Sequence, residues 1–210
     1  MKSILFDLDG TITDSQNGII NSVIYALKKY GREVGDRGEL KKFIGPPLAW
    51  MFSQYCGFSE EEGQKAVEVY REYYTVKGIF ENEVYDGVED MLKKLHESGA
   101  RLYLATSKPQ IYAKKILEHF GLAKYFDDIV GSELDGRRVE KDEIIACVLK
   151  KHGIKDAVMV GDRRFDMEGA KKNALTAVGV LYGYGTKEEL EQAGADFIAK
   201  SVEELSDYLK

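Results

Sequence analysis

The sequence predicts an α/β protein, a doubly wound parallel sheet that carries an inserted block of helices near its N-terminus. Three observations predict it. Short, almost continuous apolar runs such as "SILF", "RLYLA", "AVMVG" and "TAVGV" are too short for helices and too apolar for a sheet with one wet face. Stretches with helical spacing separate them, the alternation expected of a parallel sheet covered on both sides. Residues 16 to 80 break this rhythm with helical spacing alone.

Taken in order, "SILFDL" is the first strand. Ile19, Ile20, Val23, Ile24 and Leu27 then recur at helical spacing. Pro47 suits a helix start, and Leu48, Met51, Phe52 and Tyr55 mark one face of that helix. Ser59-x-x-Glu62 is a capping-box start for a third helix through Val69, Tyr70 and Tyr73. This block far exceeds ordinary loop lengths. It predicts an inserted helical domain at 16–80, with hinges near 13–16 and 80–86, and a core domain formed by 1–15 and 81–210. In the core, a strand at 101–106 precedes a helix around 109–120, and a helix around 140–152 precedes the strand at 157–161. A helix around 165–174, strands at 176–181 and 196–199, and a last helix opened by Ser201-x-x-Glu204 complete the series.

The bulk numbers exclude several classes. The chain has 210 residues, 44% of them hydrophobic and 31% charged, the profile of an ordinary globular protein. No run approaches the ~18 apolar residues of a membrane span, and nothing resembles a signal peptide. The net charge of −6 argues against a nucleic-acid polymer as partner, though a local cluster of metal and lysine can still attract a small anion. Cys56 and Cys147 stand in no metal-like spacing, which predicts free, buried thiols in a reducing, cytoplasmic setting. The chain is expected to be a monomer or small homo-oligomer.

In open α/β sheets, ligands bind beyond the carboxyl ends of the strands. The polar residues there are Asp7 and Asp9 after the first strand, Thr106 and Ser107 after "RLYLA", and Asp162 with Asp166 after "AVMVG". Lys141, at a helix start after "DGRRVE", joins them. Two carboxylates at a strand end are costly to desolvate, so something must neutralise Asp7 and Asp9.

"DLDGT" (7–11), "LATS" (104–107), Lys141 and "GDRRFD" (161–166) resemble, in order, the four motifs of the haloacid dehalogenase superfamily, in its phosphatase branch. The likeness spans essentially the whole chain and implies a Rossmann-like core with an α-helical cap. It further implies that Asp7 is the nucleophile and Asp9 the acid and base. Asp7, the Asp9 carbonyl and Asp162 would bind Mg²⁺, with Asp166 behind them as support. Gly10, Thr106, Ser107 and Lys141 would hold phosphate, and the cap loop with Gly45 and Pro46 would help select substrate. Ser107 stands where many relatives have asparagine, and Asp142 follows Lys141 where proline is common; Lys150 and Lys151 lie in the same region, but Lys141 is favoured by its helix-start position.

Plainer readings stand beside these. Asp-Gly is an ordinary turn dipeptide, Asp162 and Asp166 suit a helix start, Asp14 reads as a helix-entry residue, and His96, His119 and His152 sit near helix C-termini. The aromatic residues of the helical block read mainly as core. "FIGPPL" and "SELDGRRVEK" look like the phosphoglycolate phosphatase and 5′-nucleotidase-like subgroup. The expected function is hydrolysis of a small phosphorylated metabolite such as 2-phosphoglycolate, through an aspartyl-phosphate. A nucleoside monophosphate is the alternative substrate, and a phosphosugar mutase or a non-enzymatic phospho-aspartate switch the alternative function.

Overall fold

The structure is a computed structural model that describes residues 2–210. Two compact units form: one runs to Asp14 and resumes at Val84, the other comprises Ser15–Glu83. The chain opens with β1 (Ser3–Phe6) and β2 (Thr13–Asp14), then enters the helical unit through α1 (Gln16–Lys29). A 3₁₀ turn at Glu39–Phe43, α2 (Leu48–Cys56), α3 (Glu60–Tyr74) and a second 3₁₀ turn at Gly78–Phe80 follow. After β3 (Glu83–Val84), which pairs with β2, strands and helices alternate. They are α4 (Val88–Glu97), β4 (Arg101–Pro109), α5 (Gln110–His119), β5 (Asp128–Ser132), α6 (Lys141–His152) and β6 (Val158–Gly161). Then come α7 (Arg164–Lys172), β7 (Thr176–Val180), α8 (Lys187–Gln192), β8 (Phe197–Ala199) and α9 (Val202–Leu209).

Among the described residues the main sheet has six strands, all parallel, in the order β5-β4-β1-β6-β7-β8. β1 lies between β4 and β6, with Leu5 opposite Tyr103 on one side and Met159 on the other. Strand order therefore reverses direction at β1, and its carboxyl end opens onto the crevice where such sheets bind ligands. Ile4, Leu5, Phe6, Leu102, Leu104, Met159 and Val160 are wholly or almost wholly buried, which is why these strands read as unbroken apolar runs. Ile144, Ile145, Val148, Met167 and Ala170 pack α6 and α7 onto that surface.

β5 is a strand that the sequence reading passed over. It lies at the sheet edge, and Asp127 and Asp128 lead into its short apolar pair Ile129-Val130. An edge strand needs less apolar surface than a central one, so its signal is weak.

In the helical unit, α3 packs on α1 and α2. A methyl group at Gly63 would come within 2.7 Å of the Ala49 carbonyl oxygen, so glycine sets the close approach of α3 to α2. Ser59 accepts from the Glu62 N–H (3.2 Å) and the Glu62 carboxylate from the Ser59 N–H (2.8 Å), a complete capping box. At α9 the reciprocal half differs: Ser201 accepts from Glu204, but the Glu204 carboxylate takes the N–H of Lys200. Phe43, Phe52, Tyr70 and Tyr74 are buried, whereas Trp50 and Tyr55 are about half exposed and depart from the expected core role. Cys56 and Cys147 are free but only partly buried, short of the full burial expected. No helix among the described residues is long and apolar enough to cross a membrane.

Candidate active site

The Asp7 N–H donates to the Val160 carbonyl (2.9 Å), which anchors the residue at the point where β1 leaves the sheet. Leu8 turns into the core and its carbonyl accepts from the N–H groups of Thr11, Ile12 and Thr13 (3.2, 2.9 and 3.0 Å). This tight turn leaves Asp7 and Asp9 beyond the strand end. Gly10 sits at φ +84°, and a methyl group there would lie 2.2 Å from Asp162 Oδ2. Only glycine fits both the conformation and the space.

Asp7, Asp162 and Asp166 come together after β1 and β6, each offering a carboxylate oxygen within 4.8 Å of the others. Lys141, the first residue of α6, is buried among them. Its Nζ lies 2.9 Å from Asp7 Oδ1 and 2.8 Å from Asp166 Oδ1, and donates to the Ala105 carbonyl at 3.1 Å. Lys150 and Lys151, the other lysines of that region, lie in the last turn of α6; Lys151 pairs instead with Asp128 at 2.7 Å. Asp166 also begins α7, where its Oδ2 accepts from the Arg163 N–H (3.1 Å). The helix-start reading and the site reading of Asp166 thus hold together, on different oxygens.

The electrostatics follow from burial. Asp162 is fully buried; desolvation, with Asp166 and Asp7 beside it, pushes its carboxyl well above the usual range against the opposing Tyr184 N–H. Burial also raises Asp166, to about 6, although Lys141 pulls the other way. At Lys141 burial works against the charge, but Asp166 and Asp7 outweigh it and raise its pKa.

These residues fit a divalent cation. Three carboxylates against one ammonium leave two formal negative charges in a buried space. Asp162 Oδ1 is buried with no hydrogen-bond partner, an acceptor left open to a ligand. The donors are all hard oxygens, the set that Mg²⁺ prefers.

Asp9 lies outside this trio. Its two oxygens accept from Lys108 Nζ at 2.8 and 2.6 Å. Thr106 is buried in β4 where its pairing with β5 shifts register, its Oγ1 accepting from the Lys108 N–H (3.3 Å), and the Ser107 carbonyl accepts from Ser132 Oγ (2.8 Å). Gly45 and Pro46 belong to the helical unit, between its first 3₁₀ turn and α2, with Gly45 at φ +103°. His152 binds Asp128 (2.8 Å) at the start of β5, the opposite end of the sheet from the carboxylates.

Two features escaped the sequence reading. Lys108 is two residues past Thr106, within the same strand-end segment, and could have been collected by the same rule. The loop "YGYG" (182–185) follows β7 at its carboxyl end, and the Tyr184 N–H donates to Asp162 Oδ2 at 2.7 Å.

Comparison with known proteins identifies the family. The family model described as haloacid dehalogenase-like hydrolase matches residues 4–180. A 5′-nucleotidase of Pseudomonas aeruginosa is 45% identical over 90% of this chain and 86% of its own. A phosphoglycolate phosphatase of Vibrio parahaemolyticus is 29% identical over 98% of this chain and 94% of its own. Among solved structures, a predicted phosphatase from Clostridium acetobutylicum superposes with a TM-score of 0.95 at 49% identity, over 99% of this chain and 97% of that one. On these grounds the chain belongs to the haloacid dehalogenase-like hydrolases, in the phosphatase branch of that family.

Proposed function

We propose that the protein is a Mg²⁺-dependent phosphoric monoester hydrolase that works through an aspartyl-phosphate on Asp7. The observation that carries this reading is the buried meeting of Asp7, Asp162, Asp166 and Lys141 at the switch point of the sheet. An Asp7 oxygen attacks phosphorus, the bond to the leaving oxygen breaks, and Asp9 gives that oxygen its proton. Water then attacks the same phosphorus, passing a proton to Asp9. The bond to Asp7 breaks and inorganic phosphate leaves. Asp7, Asp162 and Asp166, with the Asp9 carbonyl, would hold Mg²⁺. When bound, the ion shields the nucleophile from the anionic substrate and stabilises charge on the transferring oxygens. Lys141, Thr106 and the N–H groups beside Gly10 and Ser107 bind those oxygens and orient them.

The helical unit carries Gly45 and Pro46, the loop to which we assign substrate selection. For the substrate, 45% identity to a 5′-nucleotidase supports a nucleoside 5′-monophosphate more strongly than 29% identity supports 2-phosphoglycolate. The nucleotide therefore moves ahead of the acid that the sequence alone favoured. The experiment is a panel of phosphate esters, assayed for inorganic phosphate with and without Mg²⁺. Metal-dependent release with nucleotides as the best substrates is expected. Transfer of phosphate between positions on a sugar, without release, would mark a mutase instead.

A further inference from the structure

The loop at 182–185 lies closely against Asp162. A methyl group at Gly183 would lie 2.4 Å from Asp162 Cβ and 2.3 Å from the Gly10 carbonyl oxygen. One at Gly185 would lie 1.9 Å from the Asp162 carbonyl oxygen. Two glycines thus bring backbone onto the aspartate from both sides of Tyr184. Between them the Tyr184 N–H donates to Asp162 Oδ2 (2.7 Å), while Asp162 Oδ1 is left without a partner. One oxygen is fixed and the other is presented.

The loop is itself fastened by its tyrosines. The Tyr184 hydroxyl donates to Asp14 Oδ1 (2.8 Å), and Tyr85 shares a side-chain hydrogen bond with Tyr184. The Tyr182 hydroxyl donates to the Thr11 carbonyl (3.1 Å), within the turn that follows Asp9, and its ring meets Tyr85 edge-on at 5.0 Å. Both tyrosines are therefore tied to the segment that follows β1.

We propose that Tyr184 is a positioning residue for the divalent-ion site. Its N–H holds Asp162 Oδ2 so that Oδ1 faces the ion, and its hydroxyl, anchored on Asp14, keeps that N–H in register. The inference rests on the metal reading given above. It adds a role for two residues, Tyr184 and Asp14, that touch neither ion nor substrate. Groups that orient a metal ligand commonly contribute about 10-fold or more to metal affinity.

The test is equilibrium binding of Mn²⁺, an oxygen-seeking stand-in for Mg²⁺. The free ion is followed by electron paramagnetic resonance, on full-length chains whose fold is checked by circular dichroism. Tyr184→Phe and Asp14→Ala should each weaken binding about 10-fold. The double variant should be no weaker than Tyr184→Phe, which already breaks the bond to Asp14 together with the one shared with Tyr85. Asp14→Asn keeps an oxygen acceptor for the tyrosine hydroxyl and should restore most of the affinity. Wild-type binding with an unchanged Tyr184→Phe constant, or additive losses in the double variant, would overturn the positioning role alone. A wild-type chain that fails to bind Mn²⁺ would overturn the metal reading and this inference with it. If Tyr184→Phe fails to fold, the Asp14→Ala and Asp14→Asn pair decides, equal affinities in these two refuting the role.

Discussion

Replacing Asp166 with asparagine should make the metal-free protein more stable at neutral pH, and the size follows from its surroundings. The folded carboxyl is held at about 6 against an ordinary value of 3.8, chiefly by burial. Between those values the folded state binds more protons than the unfolded state, so stability falls as pH rises through that window. The ionised carboxylate therefore costs the metal-free fold stability at neutral pH, on the order of a few kcal/mol. The asparagine side chain would still offer an oxygen to the Arg163 N–H, from which Asp166 now accepts at 3.1 Å, so the start of α7 is kept. Urea unfolding in chelator, from about pH 4 to about pH 7.5, measures both chains. The variant should match the wild type at the acid end and exceed it at the other by on the order of a few kcal/mol. With Mg²⁺ present the order should reverse, since the asparagine is a poorer ligand. A difference that does not change with pH, or a variant less stable at neutral pH in chelator, would refute the reasoning.

Other changes probe the remaining groups. Asp7→Asn should reduce phosphate release by about 10⁴-fold or more, because an amide is a poor nucleophile; a colorimetric phosphate assay reads it. Lys108→Met removes both hydrogen bonds to Asp9 and should lower kcat about 10-fold or more with alkyl phosphates. The loss should shrink with p-nitrophenyl phosphate, whose leaving group needs no proton, and an equal loss on both substrates would contradict Lys108 acting through Asp9. Gly161→Ala would place a methyl group 2.1 Å from Asp166 Cγ. It should cost about 1–3 kcal/mol in urea unfolding, and a neutral result would show that α7 can move away.

The sheet was legible wherever burial on both faces forces a continuous apolar run, as in Ile4-Leu5-Phe6 or Met159-Val160. β5 was not, because an edge strand that begins at Asp128 carries little of that signal. The site acids were legible for a related reason: Asp7, Asp9 and Asp162 each interrupt such a run at its carboxyl end. Lys141 carried only a positional hint at a helix start, and its burial between Asp7 and Asp166 depends on how α6 lies on the sheet. The pairing of Lys108 with Asp9 spans 99 residues and has no local pattern. The 182–185 loop was invisible for another reason. It acts on Asp162 through a backbone N–H and through missing side chains, neither of which a residue list displays.

The central claim is that Asp7 carries the phosphoryl group, and chemical trapping tests it most directly. Borohydride added during turnover reduces an acyl phosphate to homoserine, which peptide mass spectrometry assigns to a position. Homoserine at position 7, formed only when substrate and Mg²⁺ are both present and lost in Asp7→Asn, is the predicted result. Sustained phosphate release with Asp7 unmodified, or with the modification at another carboxylate, would contradict it.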